Sequence, residues 1–181
     1  MAEHLKDINT EQLVGSMMGI ALQNSAGNFQ EAIRCYEKQL DIARENRDDR
    51  AAGDAYKSLA YIYTTSERFQ EAIECHKKYL QIVERLHETK EMKATYYDLV
   101  SANYHIGNYE EAIEYTKKVL KLVLETGDKE AESELYMYYK MLGVCYEKLN
   151  DYDEAIRYCK MCLDISKEIP DKRKELERMN H

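Results

Sequence analysis

One five-residue block occurs four times in this chain: Phe29-Gln-Glu-Ala-Ile33, Phe69-Gln-Glu-Ala-Ile73, Tyr109-Glu-Glu-Ala-Ile113 and Tyr152-Asp-Glu-Ala-Ile156. The copies are 40, 40 and 43 residues apart. A unit of that length is one supersecondary element that cannot bury its apolar face alone, so it has to stack on its neighbours. Each block follows a polar turn (Gly27-Asn28, Glu67-Arg68, Gly107-Asn108, Asn150-Asp151) and leads into apolar residues of helical period. A helix therefore starts at each block.

A second helical pattern lies ahead of each of the last three blocks: Tyr56, Leu59, Ala60 and Tyr63, then Tyr96, Leu99 and Val100, then Tyr139, Leu142, Gly143 and Tyr146. Spacings of three and four mark one buried face. Ala60 to Ala72, Val100 to Ala112 and Gly143 to Ala155 are each twelve residues apart. That interval sets residues of two antiparallel helices opposite each other, and small side chains there let the helices approach closely. With 7 glycines and the single proline Pro170, the chain has little turn chemistry for strands or nucleotide loops.

These motifs resemble the tetratricopeptide repeat family. Leu59-Ala60-x-x-Tyr63 with Phe69-x-x-Ala72, and Leu142-Gly143-x-x-Tyr146 with Tyr152-x-x-Ala155, carry nearly the whole family pattern. The third copy has Val100 at the small position and Tyr104 one residue beyond the usual aromatic place; the first has Met18-Gly19 eleven residues before Phe29, against ten elsewhere. The resemblance covers about residues 9 to 169. It implies an all-α, right-handed superhelical solenoid of four helical hairpins plus a C-terminal helix. Repeats are expected over about 9–48, 49–88, 89–128 and 129–169, with 170–181 a capping helix or the start of a truncated repeat. Helices are expected over 9–25, 29–46, 49–65, 69–87, 89–105, 109–126, 129–148, 152–168 and 171–180.

The period of 40 and the junctions Arg47-Asp-Asp-Arg-Ala-Ala52 and Thr126-Gly-Asp-Lys-Glu-Ala131 also resemble the Pins-like polarity adaptors of the G-protein-signalling modulator type. Those adaptors place Asn after Leu-Gly to hold partner peptides. Here the equivalent positions are Tyr61, Ser101 and Val144.

In a stacked array the first helices of successive pairs line a concave groove, where a partner would bind. Beside the buried stripe, the second copy offers Lys57, Tyr61, Thr64 and Thr65. The third offers Tyr97, Asp98, Ser101, Tyr104 and His105, and the fourth Lys140, Val144, Glu147 and Lys148. Tyrosine combines a large apolar face with a hydroxyl, and lysine is a mobile cation. The mixture suits a protein or peptide segment carrying acidic and apolar residues. The same tyrosines can instead pack between neighbouring helices. A clamp for a chaperone C-terminal carboxylate, which the resemblance would otherwise suggest, needs Asn near Tyr61 and Asp98, and neither is present.

Net charge is −8, from 34 acidic and 26 basic residues, which disfavours phosphate backbones and anionic membranes. No apolar run approaches the ~20 residues that span a bilayer, and the start lacks the pattern of a signal peptide. Nucleic acid and membrane are thus not expected partners, and the cytoplasm is the expected location. Five cysteines, an odd number, read as reduced thiols. Cys159-Lys-Met-Cys162 has the spacing of a zinc half-site, but in the family register both positions face the core, so they read as structural. His76 falls at an aromatic core position of the repeat. No histidine pair, nucleophile elbow or phosphate-binding loop occurs. The chain is expected not to be an enzyme, with no catalytic residues, metal or cofactor. The leading expectation is an adaptor or scaffold. The alternatives are a structural subunit that self-associates, or assembles into a larger complex, through the solenoid ends and convex face, and a small-peptide receptor of the kind some bacterial repeat proteins form.

Overall fold

The computed structural model describes the backbone at residues 29–126 and 131–179, and side chains at 29–126 and 133–167. Seven helices and no strand occur among the described residues: α1 (Phe29–Glu45), α2 (Asp49–Thr65), α3 (Phe69–Arg85), α4 (Thr89–His105), α5 (Tyr109–Thr126), α6 (Ala131–Lys148) and α7 (Tyr152–Met179). The helix expected over 9–25, with Met18-Gly19, lies outside the described residues, as does Gly127–Glu130 of the second junction.

Five of the connections, all of those among the described residues, use one turn. At Asn46-Arg47-Asp48 the Asp48 N–H donates to the Ala43 carbonyl and the Arg47 N–H to that of Arg44. The same long bond recurs from Arg68 to Tyr63, Glu88 to Val83, Asn108 to Asn103 and Asp151 to Tyr146. This is a Schellman cap, which satisfies the last carbonyls of one helix. Its final residue is already the N-cap of the next helix: the carbonyls of Asp48, Arg68, Glu88, Asn108 and Asp151 accept from Ala52, Ala72, Met92, Ala112 and Ala155. Short links of this kind return the chain onto the helix just completed, as the packing of α1 on α2, α2 on α3 and α6 on α7 shows. The middle residue has a positive φ at Arg47, Glu67, His87, Gly107 and Asn150.

The helices form two compact units, divided between Ala102 and Asn103. In the first, α1 buries Ala32, Ile33, Tyr36 and Leu40, and α3 buries Ala72, Ile73, Leu80 and Val83. Helix α2 buries Ala52, Ala55, Tyr56, Leu59, Ala60, Ile62 and Tyr63, more than one face. It packs against both α1 and α3. The expected stripe of Tyr96, Leu99 and Val100 is buried in α4. Polar side chains tie the helix ends: the Arg44 guanidinium donates to the Tyr56 hydroxyl (2.6 Å), the Tyr96 hydroxyl to Glu84 (3.0 Å), and Arg85 to Asp49 (3.1 Å).

In the second unit, α5 buries Ala112, Ile113, Thr116, Val119, Leu120 and Val123. Leu142 and Gly143 of α6 are buried as expected, but Tyr139 and Tyr146 are half-buried. The place of a Cβ on Gly143 would lie 3.6 Å from the Ala155 carbonyl oxygen, which is the close approach of α6 and α7 that the twelve-residue interval predicts. The Tyr146 ring stacks on Tyr158 (5.6 Å, interplanar angle 8°).

Two differences from the sequence reading concern α7. It runs unbroken through Pro170, in place of separate helices over 152–168 and 171–180. Proline removes one i to i−4 bond, and the Lys, Arg and Glu residues on either side favour helix. The second is a correction: Cys159 is exposed and Cys162 only half-buried, so neither is a core cysteine. The equivalent positions on α3, His76 and Tyr79, are buried and meet Asp98 and Glu91 of the next helix, and no described helix follows α7.

Candidate functional site

In the first unit the predicted residues lie on α2 and α4. Tyr61 is 56% exposed and Tyr97 40%, whereas the stripe tyrosines of the same helices, Tyr56, Tyr63 and Tyr96, are buried. Thr64 is exposed and Ser101 half-buried. Thr65 turns its hydroxyl back to the carbonyls of Tyr61 and Ile62, so it caps the helix end rather than facing a ligand.

Lys57 is exposed but engaged. Its Nζ lies 2.7 Å from Glu91 Oε2 and 5.7 Å from the Tyr79 ring centre. The Tyr79 hydroxyl donates to the same Glu91 oxygen at 2.7 Å. The Lys57 bond, then the Tyr79 bond, hold the Glu91 carboxyl below its usual range. Burial, reinforced by Glu91, pushes the Tyr79 phenol up. The cation is therefore largely neutralised within the fold. Asp98 Oδ2 stands 3.9 Å from Nδ1 of the buried His76, whose Nδ1 has no hydrogen-bond partner. Burial lowers the His76 pKa to about 4, while desolvation raises that of Asp98.

In the second unit Tyr104 is half-buried, its ring edge-on to Tyr109 at 5.5 Å, and His105 is exposed. On α6, Lys140 and Lys148 are exposed and Val144 is half-buried. The sequence reading did not single out Glu91, whose role depends on a contact across 34 residues, nor a groove on the second helices of this unit. Among the described residues no cluster of His, Cys, Asp or Glu could hold a metal ion, and no helix is long and apolar enough to cross a membrane.

Several solved structures share this backbone. BtubC (BKLC) from P. vanneervenii is similar at a TM-score of 0.69 and 18% identity, covering 88% of this chain and 64% of that one. A signal transduction ATPase with numerous domains from Pyrococcus horikoshii, which carries a tetratricopeptide repeat sensor, is similar at 0.71 and 23%, covering 90% and 25%. A Rap protein complexed with competence and sporulation factor is similar at 0.56 and 18%, covering 92% and 45%. The chain thus spans 64% and 25% of the length of the first two. At these identities the likeness is one of fold. No curated protein matches the sequence at a significant level. The tetratricopeptide repeat model matches residues 15–85 and 91–168, most of the chain. On that match the chain belongs to the tetratricopeptide repeat family, whose repeats generally mediate protein–protein interaction on a fold that is typically non-catalytic.

Proposed function

We propose that the chain is a cytoplasmic adaptor whose first-helix surface binds a segment of another protein. The exposure of Tyr61 and Tyr97 carries this reading, since both rings stand in solvent on helices whose stripe tyrosines Tyr56, Tyr63 and Tyr96 are buried. An exposed aromatic ring is costly to hydrate and gives a large contact area at little cost in side-chain entropy, the qualities of an interface anchor. Thr64 and Ser101 supply hydroxyls nearby on the same helices.

On the first unit Lys57 is neutralised by Glu91 and Asp98 would repel a carboxylate; on the second unit, taken by itself, the exposed Lys140 and Lys148 of α6 favour acidic groups. Val144 between those lysines offers an apolar contact. Tyr104 and His105 contribute at the end of α4, with Tyr104 partly held by Tyr109. In this reading four repeats cover about residues 9–169, and the resemblance to Pins-like adaptors is limited to period and junctions. Panning a displayed library of random peptides on the wild type and on a Tyr61→Ala/Tyr97→Ala variant tests it. Sequences enriched on the wild type alone support the reading; equal enrichment on both contradicts it.

One observation favours self-association as a second reading. The α7 positions equivalent to the buried Ile73 and Leu80 of α3 are Ile156 and Leu163, 53% and 54% exposed. A second copy packed on this stripe would bury it as the other copies of the repeat are buried. Sedimentation velocity over a concentration series decides: a mass that rises for the wild type and not for Ile156→Asp/Leu163→Asp supports it, and a constant monomer mass rules it out.

A further inference from the structure

The junction between a second helix and the following first helix is written three times, and the third copy departs from the other two. Arg44 of α1 bonds the Tyr56 hydroxyl of α2 at 2.6 Å, and Glu84 of α3 accepts from the Tyr96 hydroxyl of α4 at 3.0 Å. By the register of the repeated block, the corresponding pair is Leu124 of α5 and Tyr139 of α6. Leucine offers the phenol no partner. Leu124 is 62% exposed, the highest value among the exposed large apolar side chains of the described residues.

The same turns of α5 also change charge. Positions 37 and 41 are Glu and Asp in the first copy, positions 77 and 81 are Lys and Gln in the second, and the third has Lys117 and Lys121. One helix face thus carries an exposed apolar side chain beside two cations, where the first copy has two carboxylates and the second a single cation, in a chain whose net charge is −8.

These residues border an open groove of about 410 Å³ within the second unit, where Leu124 and Tyr139 are joined by Leu120, Tyr158 and Met161. Lys117, Lys121 and Arg157 stand around it, with Glu125 the one carboxylate in the lining. Lys117 is held by the Tyr146 hydroxyl (2.8 Å) rather than by an acid. Lys121 lies 3.8 Å from Glu125 with both side chains mostly exposed, a weak pair, while Arg157 bonds Glu154.

We infer that this groove on the second helices of the second unit is a docking site for a protein segment in which a large apolar side chain is flanked by carboxylates. The apolar side chain rests against Leu124, Leu120 and Tyr139, and the carboxylates meet Lys117 and Lys121. A volume of about 410 Å³ accommodates one or two large side chains and no folded element. The lining residues belong to the second unit, whereas Tyr61 and Tyr97 belong to the first.

A fluorescein-labelled twelve-residue peptide repeating Glu-Leu-Asp, titrated by anisotropy, tests the inference on the full chain. It is expected to bind the wild type and to bind Leu124→Glu and Lys121→Glu at least about ten-fold more weakly, since a central anchor and its charge partner commonly carry that much. The Tyr61→Ala/Tyr97→Ala variant is expected to bind it as the wild type does. Both single substitutions are at exposed positions, so their urea midpoints should match the wild type. The inference is overturned by no binding at about millimolar peptide, by equal binding to Leu124→Glu, by equal binding of a Lys-Leu-Lys peptide, or by loss of binding in the tyrosine variant.

Discussion

Lys57 Nζ and Tyr79 Oη both lie 2.7 Å from one oxygen of Glu91, so a cation expected to face a ligand is held within the fold. Three helices, α2, α3 and α4, meet at that carboxylate. The consequence is an asymmetric response to mutation. Lys57→Ala should cost only about 0.5 kcal/mol, because the pair is half-exposed. Glu91→Ala should cost more, about 1–2 kcal/mol, since it leaves the phenol of the buried Tyr79 without its acceptor. Urea denaturation of the two variants and their double mutant measures both the difference and the coupling.

The five Schellman turns make a second prediction. Arg47, Glu67 and His87 hold φ of 55°, 58° and 55°, a region that side chains with a Cβ adopt at a cost. Glu67→Gly should therefore stabilise the chain by up to about 1 kcal/mol, the gain in the turn being offset in part by the greater freedom of glycine in the unfolded state. Gly107→Ala, at φ 81°, should destabilise it by about 1 kcal/mol. Thermal unfolding of both variants checks the opposite signs.

His76 makes stability depend on pH. Its pKa is lowered to about 4 in the folded chain, against about 6.5 when unfolded. Below about pH 6.5 the unfolded state therefore binds a proton that the folded state refuses, and stability falls as pH drops toward 4. At the low end the loss is as much as about 3 kcal/mol. Asp98, the acid facing His76, works in the opposite direction: with its pKa raised, it favours the folded state at low pH and loses that contribution as pH rises. His76→Tyr, which copies Tyr36 of the first block, should remove the histidine contribution. Comparing urea midpoints of wild type and variant at about pH 7 and about pH 5 tests this: the gap between them should widen in favour of the variant at the lower pH.

Cysteine reactivity should rank by burial. Cys159 is exposed, whereas burial pushes the thiols of Cys75 and Cys145 up to about 11. Alkylation under native conditions should label Cys159 first and Cys145 last, because the thiolate is the reactive form. Peptide mass spectrometry over a time course gives the order.

The helices and their buried stripes were legible because Leu59, Tyr63, Leu99 and Leu142 recur at spacings of three and four, a signal local to each helix. The turns were less so. Gly107 and Asn150 announce a left-handed residue, but Arg47, Glu67 and His87 adopt the same conformation with no compositional mark. Pro170 suggested a helix start because proline is favoured at a first turn, yet α7 continues through it. Cys159 and Cys162 occupy core positions of the repeat register, but a register assigns burial only where another helix follows. At the candidate site, Tyr61 and Tyr97 could be placed beside the stripe from spacing alone. The engagement of Lys57 could not, because Glu91 belongs to another repeat. Leu124 becomes informative only when set against Arg44 and Glu84, a comparison between copies rather than a motif.

On the proposed function, Tyr61 and Tyr97 anchor a partner segment on the first helices. The most direct measurement is the affinity of a wild-type-selected peptide for the wild type and for Tyr61→Ala/Tyr97→Ala, by calorimetry, with helicity and urea midpoint recorded for both. Binding to the variant should be at least about ten-fold weaker, with its helicity and midpoint unchanged. Equal affinity, or a midpoint that falls as a buried aromatic loss would require, contradicts it.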